Sequence, residues 1–386
     1  MVIMGIFSSM KETLVQFRKE LHTYPELSGE EHTTAERIIT FVNDFDPTHI
    51  IRNIGGAGVA VIYEFGERGP KVVIRCELDA LPIGEENNFA HQSKNKGVSH
   101  KCGHDGHMAI VAGLSMWLNT SEFKKGKVIL LFQPAEETGK GAAKVMEDDR
   151  FVHLAPTHVF ALHNLPGQKK HAILVKPGCF TATVQSLCIK LEGRKAHASE
   201  PENGLNPALA VAEIMQQLAN YVNPDFQSTE FALLTPICMH MGEMTYGISP
   251  EQAELHYTIR TWSLAQMNTL ENKIKKAVIA VAEKYLLKYD IDWFEFFPTS
   301  VNSTDCVELI EKVANEKGFE LVENHAPLRF GEDFGWYSST YKSAIFGLGS
   351  GEHHPALHRS DYDFPDEIIE TGLAMFKGLI TEILGN

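Results

Sequence analysis

The chain has 386 residues, 44% of them hydrophobic and 22% charged, with a formal net charge of −15. At roughly 100–200 residues per domain this length gives two domains, possibly a third, with ample material for their cores. The acidity argues against nucleic acid or an anionic membrane surface as partner, because phosphate binding needs clustered Lys and Arg, and no stretch approaches the roughly 20 apolar residues of a spanning helix.

The N-terminus, MVIMGIFSSMKE, has a short apolar patch but neither a basic n-region nor a small-residue cleavage site, so it does not read as a signal peptide. A first helix is predicted over 10–22. Ser9 and Glu12 have capping-box spacing, and Met10, Leu14, Phe17 and Leu21 form one apolar stripe. Short apolar runs then read as buried strands: Val59–Phe65, Val72–Leu78, Val128–Phe132 and His158–Leu162. A helix over Gly106–Leu118 falls among them. Strands alternating with helices imply an α/β domain with a mostly parallel sheet.

The pattern changes near residue 180. Val184–Leu191 reads as a strand. Pro207 suits a first helical position, ahead of a stripe of Val211, Ile214, Met215, Leu218 and Val222. Strands follow near 231–241 and 252–261. A second helix carries Leu270, Ile274, Val278, Val281 and Tyr285 on one face, and a strand follows near 291–297. Strand–helix–strand–strand–helix–strand is the ferredoxin-like order. The expected layout is therefore a discontinuous α/β domain, 1–179 and 298–386, interrupted by an inserted α+β domain at 180–297.

Ser99-His-Lys-Cys-Gly-His-Asp-Gly-His107 is the densest chemical signal. Thiolate, imidazole and carboxylate are the ligand types that zinc takes. A lone His or Cys is more often a core or surface residue. Here His100, Cys102, His104, Asp105 and His107 crowd together ahead of a predicted helix, beside a glycine that allows a tight bend. Gln133-Pro-Ala-Glu136-Glu137 directly follows a predicted buried strand, and Ala161-Leu-His163-Asn164 ends another. Glu77-Leu-Asp79 closes the Val72 strand, and Glu352-His-His-Pro-Ala-Leu-His358 lies near the C-terminus. Each alone suits a solvated loop. Open α/β sheets, however, bind ligands outside the carboxyl ends of their strands, so convergence on one site is the simpler account. The six cysteines, at 76, 102, 179, 188, 238 and 306, show no paired spacing, which fits a reducing cytoplasm better than a disulfide framework.

These motifs, in this order, resemble the aminoacylase, hippurate hydrolase and auxin-conjugate amidohydrolase subgroup of the M-twenty metallopeptidases. Further matching segments are Arg18-Lys-Glu-Leu-His22 with Pro25-Glu26, Asp79-Ala-Leu-Pro-Ile83, His197-Ala198 with Pro201, and Gly331-Glu-Asp-Phe334. The resemblance spans nearly the whole chain. It implies a catalytic α/β domain with an inserted lid and dimerisation domain, and two divalent metal ions. Zinc is the first expectation; manganese, cobalt and nickel suit similar ligands. The implied ligands are Cys102, His104, Glu137, His163 and His358, with Cys102 bridging. Such ions bring a shared water toward a neutral pKa and polarise the scissile carbonyl. Glu136 would be the general base. Asp79 would orient a ligating His, and His197 would help stabilise the oxyanion from its own subunit or a partner's. The implied substrate is an N-acyl amino acid or very short peptide. Arg260 is a candidate for its carboxylate, or a structural strand residue pairing with Glu254 or its neighbours.

Two positions depart from the family. Gly247-Ile-Ser-Pro250 stands where relatives often have Asn-Val-Ile-Pro, and Ser99-His-Lys-Cys102 where they usually have Met-His-Ala-Cys. The first bears on substrate preference; the second has no account in the sequence. A dipeptidase, a carboxypeptidase or an N-acetyl-diaminopimelate-type deacetylase is an alternative within the family. A thiol hydrolase built on Cys102 has no use for the Glu pair, His163 or His358. A non-catalytic binding relative has no use for a general base.

Overall fold

The computed structural model describes residues 2–323 and 326–385, with side chains from residue 10 onward. The chain divides into two compact units. The first comprises residues 1–180, 300–324 and 333–386; the second comprises 181–299 and 325–332. The return of 325–332 to the second unit was not foreseen from the sequence. In that unit, Ala182 N–H bonds the Leu328 carbonyl (2.9 Å) and the Arg260 guanidinium bonds the Arg329 carbonyl (2.7 Å).

The first unit is built on a seven-stranded, mostly parallel sheet. Gly58–Glu77 is one extended run whose two arms are the two predicted strands. Its register explains this: Val59 lies opposite Phe132 and Phe65 opposite Gly126, then Lys71 opposite Lys127 and Glu77 opposite Gln133. The run thus passes up one flank of Lys125–Gln133 and back along the other. His158–Pro166 pairs with its second half, Lys342–Gly351 follows in parallel, and Ile173–Val175 and Leu321–Glu323 complete the edge. The strand interiors are continuous apolar runs because helices cover the sheet. Helix His104–Leu118 packs against Val2–Thr23 and Ile369–Leu384. Leu14, Ile110, Leu114, Phe376 and Ile380 are among the buried residues of this core.

The first helix begins at Val2, eight residues before the predicted start. The backbone at Ser9 is therefore inside a helix, not a cap, and the Ser9 side chain lies outside the described residues.

The second unit has a four-stranded antiparallel sheet in the order Lys288–Phe297, Thr183–Glu192, Gln252–Thr261, Ala232–Met241. Numbered along the chain this is 4-1-3-2, the ferredoxin-like arrangement. Period-two burial in Gln252–Thr261 turns Ala253, Leu255, Tyr257 and Ile259 inward. They meet Ile214 and Leu218 of helix Ala208–Ala219, and Ile274, Val278 and Val281 of helix Leu264–Lys284. Pro207 caps the first of these helices, and Val222 lies beyond its end. Among the described residues no helix covers the other sheet face, and Glu254, His256 and Thr258 are partly exposed.

Candidate metal centre

The carboxyl ends of the first unit's strands deliver the motifs to one place. Gly58–Glu77 ends at Glu77 and Asp79, Lys125–Gln133 runs into Glu136 and Glu137, and His158–Pro166 carries His163 and Asn164. Helix His104–Leu118 begins among them. Its N-cap, Gly103, has φ +92°, and a Cβ there would lie 2.6 Å from Asn164 Oδ1, so only glycine fits. Ala135 (φ 52°) and His358 (φ 65°) hold left-handed backbone conformations uncommon for their residue types.

Cys102, His104 and His163 form one group whose ligand atoms lie within 4.8 Å of one another; Cys102, Glu137 and His358 form a second. Cys102 is common to both. Its Sγ is 3.5 Å from His163 Nε2. His104 Nε2 is 4.0 Å from Glu136 and 3.9 Å from Glu137, and His358 Nε2 is 3.8 Å from Glu137. All five implied ligands and Glu136 are thus brought together. His197 and Arg260 belong to the second unit.

The imidazoles are pre-set. His104 Nδ1 bonds the Asp79 backbone carbonyl (2.8 Å) and His163 Nδ1 bonds the Asn164 carbonyl (2.9 Å). With Nδ1 donating, each Nε2 presents a lone pair inward. Asp79 is the residue expected to orient a ligating His. In the structure the Asp79 main chain makes the closer bond to His104, and the carboxylate, 3.6 Å from His104 Nδ1, receives Ser28 Oγ (2.6 Å) and Glu137 N–H (2.9 Å). His107 bonds Glu77 (2.7 Å) and Asn164 (2.6 Å) through its two ring nitrogens, and with Glu77 and His104 it forms a further buried group at ligand spacing.

The donor set fits metal ions. His104 Nε2 is buried with no hydrogen-bond partner among the described residues, an uncommon condition for a buried polar atom. Burial alone lowers the His104 pKa, but Asp79, Glu77 and Glu137 raise it to about 10. Burial, then Glu137, Glu136 and Glu77, pushes the Cys102 thiol well up. Both shifts express one field: the cavity favours positive charge. A bound cation inverts that logic and makes the thiolate the stable form.

Lys101, unexplained by sequence, is fully buried. Its Nζ donates to Glu85 (2.5 Å), Asn87 (2.9 Å) and the Tyr362 carbonyl (2.7 Å), while its own carbonyl accepts from His358 N–H (2.8 Å). It therefore braces the 358–362 loop from both ends. Glu85 also holds His22 (2.9 Å), whose other nitrogen meets Asp105 (2.8 Å). Arg18 joins Asp105 (3.0 Å), Asp363 (2.8 Å) and Asp366 (2.6 Å). A second buried network lies beneath the Glu pair: Arg75 pairs with Glu77 and Asp333, and Asp333 also takes Gln133 and the Ala142 N–H. Asp333 N–H reaches back to Glu136 (3.4 Å).

In the second unit, His197 is exposed and bonds Ser199 Oγ (2.6 Å). It pairs with Ile248, beside Gly247, where an added Cβ would meet nothing within 4 Å. Arg260 donates to the Arg329 carbonyl (2.7 Å), and no carboxylate pairs with it among the described residues. The alternative pairing with Glu254 is not formed; Glu254 sits 3.5 Å from His256.

The model of Peptidase family M20/M25/M40 matches residues 73–382. The chain belongs to this family. It is accordingly a hydrolase of amide bonds, in a family of metal-dependent amidohydrolases. It is 31% identical to N-acetyl-L-cysteine deacetylase of Bacillus subtilis over 91% of this chain and 84% of that one. It is 29% identical to hippurate hydrolase of Campylobacter jejuni, covering 96% of each. The crystal structure of the Bacillus subtilis YXEP protein, a dinuclear metal binding peptidase of the same family, superimposes with a TM-score of 0.83 at 26% identity, covering 98% of this chain and 99% of that one. Among the described residues no helix is long and apolar enough to cross a membrane.

Two predictions follow from the buried network. Lys101→Met removes the brace on the His358 loop, and chelator competition should show roughly 10–100-fold weaker metal retention. His22 titrates near 9: burial lowers its pKa, but Asp105 and Glu85 more than offset that. A raised folded pKa stabilises below the unfolded value of about 6.5 and is lost as pH rises through about 9, worth about 3 kcal/mol in all. Urea unfolding of the metal-loaded protein from pH 6.5 to 9.5 should show this decline, and His22→Gln should lack it.

Proposed function

We propose that the chain cleaves the amide bond of small N-acyl amino acids, acetyl or benzoyl or similar, with Glu136 as general base. The observation that carries this reading is the buried Glu136 carboxylate, 4.0 Å from His104 Nε2 at the edge of the donor cluster. Cys102, His104, Glu137, His163 and His358 would hold two divalent ions, zinc first and manganese, cobalt or nickel as alternatives, which supply Lewis-acid polarisation of the carbonyl and acidification of water. Glu136 takes the proton of the attacking water and passes it to the leaving nitrogen. Asp333 N–H and the Arg75 network fix its carboxylate. Asp79 holds the Glu137 main chain and the His104 ring in place. His197 stabilises the oxyanion.

Arg260 takes the substrate's carboxylate. Burial and the Arg329 charge lower its pKa, and an incoming carboxylate relieves both guanidinium groups. The names of the similar deacetylases and hippurate hydrolase support a small acyl amino acid, and the N-acetyldiaminopimelate deacetylases among them (28% for one from Listeria monocytogenes) keep that substrate as the second reading. Six free cysteines fit a reducing cytoplasm.

We also infer a homodimer through the inserted unit. Its edge strand Ala232–Met241 exposes Ile237 (63%) and Met239 (52%), and the loop after it exposes Met244 and Tyr246 almost fully. An open apolar edge of this kind is a template for strand pairing.

Release of free amino acid from N-acetyl, N-benzoyl and N-succinyl amino acids and dipeptides tests the activity. Glu136→Gln should lower kcat roughly 10²–10⁴-fold with metal content unchanged. A variant as active as the parent would remove Glu136 from the chemistry. For the dimer, Met239→Lys should shift the protein to monomer in sedimentation velocity; a parent that already sediments as a monomer would end that reading.

A further inference from the structure

The open face of the second unit's sheet carries a thiol–imidazole–carboxylate cluster that amide hydrolysis does not use. Cys188 on Thr183–Glu192 lies directly opposite His256 on Gln252–Thr261. Glu254 is two residues along the same strand, and so on the same face. Cys188 Sγ is 3.7 Å from His256 Nε2, and that nitrogen is 3.5 Å from Glu254 Oε2. All three ligand atoms lie within 4.8 Å of one another.

We propose that Cys188, Glu254 and His256 form a further metal site, for zinc or another borderline-soft divalent ion. Its sulfur–nitrogen and nitrogen–oxygen separations are those of a coordination tetrahedron. Zinc bonds of about 2.3 Å to sulfur and about 2.0–2.1 Å to nitrogen and oxygen put sulfur and nitrogen about 3.6 Å apart, and nitrogen and oxygen about 3.3 Å apart. The existing separations match these within a few tenths of an ångström, with no ion needed to draw the side chains together. The scaffold is rigid, since two paired strands supply all three ligands. Cys188 is buried, whereas His256 and Glu254 are partly exposed, so the thiol forms the floor of the site and the ion enters from solvent. The neighbouring lysine, Lys190, is already paired with Asp292 (2.9 Å), so its charge does not oppose a cation. Cys238 flanks His256 on the other side, on strand Ala232–Met241, and leaves a second thiol within the same row for the open position. Its Sγ now contacts His240 Nε2 at 3.1 Å.

The test compares the full-length protein with Cys188→Ser/His256→Ala after equilibration with zinc and desalting. The parent should retain one equivalent of zinc per chain more than the variant. With cobalt, the difference spectrum should show a sulfur-to-cobalt charge-transfer band, separate from any band of Cys102, which both proteins keep. Amide hydrolysis should be equal in the two. Equal zinc content together with a featureless difference spectrum would overturn the site. If the double variant fails to fold, His256→Gln carries the same comparison, with at least about tenfold weaker retention of that equivalent against a chelator; retention equal to the parent's would again overturn it.

Discussion

The carboxylates of Glu77, Asp79, Glu136 and Glu137 converge on two imidazoles and a thiol that are shut away from water. Negative charge gathered in a low-dielectric space is costly unless something positive sits within it. Part of that charge is balanced permanently: Arg75 takes Glu77 and Asp333. The rest faces His104 and Cys102, and the perturbed pKa values there report an unspent preference for a cation. Groups tuned this far from their ordinary values are a mark of functional sites.

The surrounding structure serves to keep that arrangement. Three neighbouring strands end on acidic or imidazole residues, and one helix starts where they meet. The tight turn at Gly103 is possible because a glycine leaves room for Asn164. Outside this ring lie two ionic networks of different duty. Arg75, Gln133 and Asp333 brace the Glu pair from below. Arg18, His22, Glu85, Lys101 and Asp105 brace the first turn of the helix and the His358 loop from the side. Removing one partner of a buried pair strands the other charge. These networks therefore fix the geometry of the site as well as adding to the stability of the fold.

Much of this was legible in the sequence because strand-end motifs are local. A buried apolar run followed by Glu136-Glu137 or His163-Asn164 states both the strand and what it carries. The ferredoxin-like unit was equally visible through its alternating and helical periodicities. What sequence could not show depended on contacts far apart in the chain. Lys101 looked anomalous beside Cys102, and its partners Glu85 and the Tyr362 carbonyl lie far from it in the chain. The Asp79 carbonyl, not its carboxylate, makes the closer bond to His104, and main-chain acceptors leave no trace in residue types. Residues 325–332 join the second unit through their carbonyls, which accept from the Ala182 N–H and the Arg260 guanidinium, and no periodicity announces this. The two arms of Gly58–Glu77 were legible as strands, but not that they flank Lys125–Gln133 on both sides.

The central claim is that this chain's chemistry resides in cations held by Cys102, His104, Glu137, His163 and His358. The most direct test is to strip the protein with chelator, titrate zinc back, and follow amide hydrolysis against ions bound. The account predicts no turnover in the stripped protein and activity that rises with metal, saturating once the Cys102 centre is filled. Full activity in protein shown to be free of metal would contradict it.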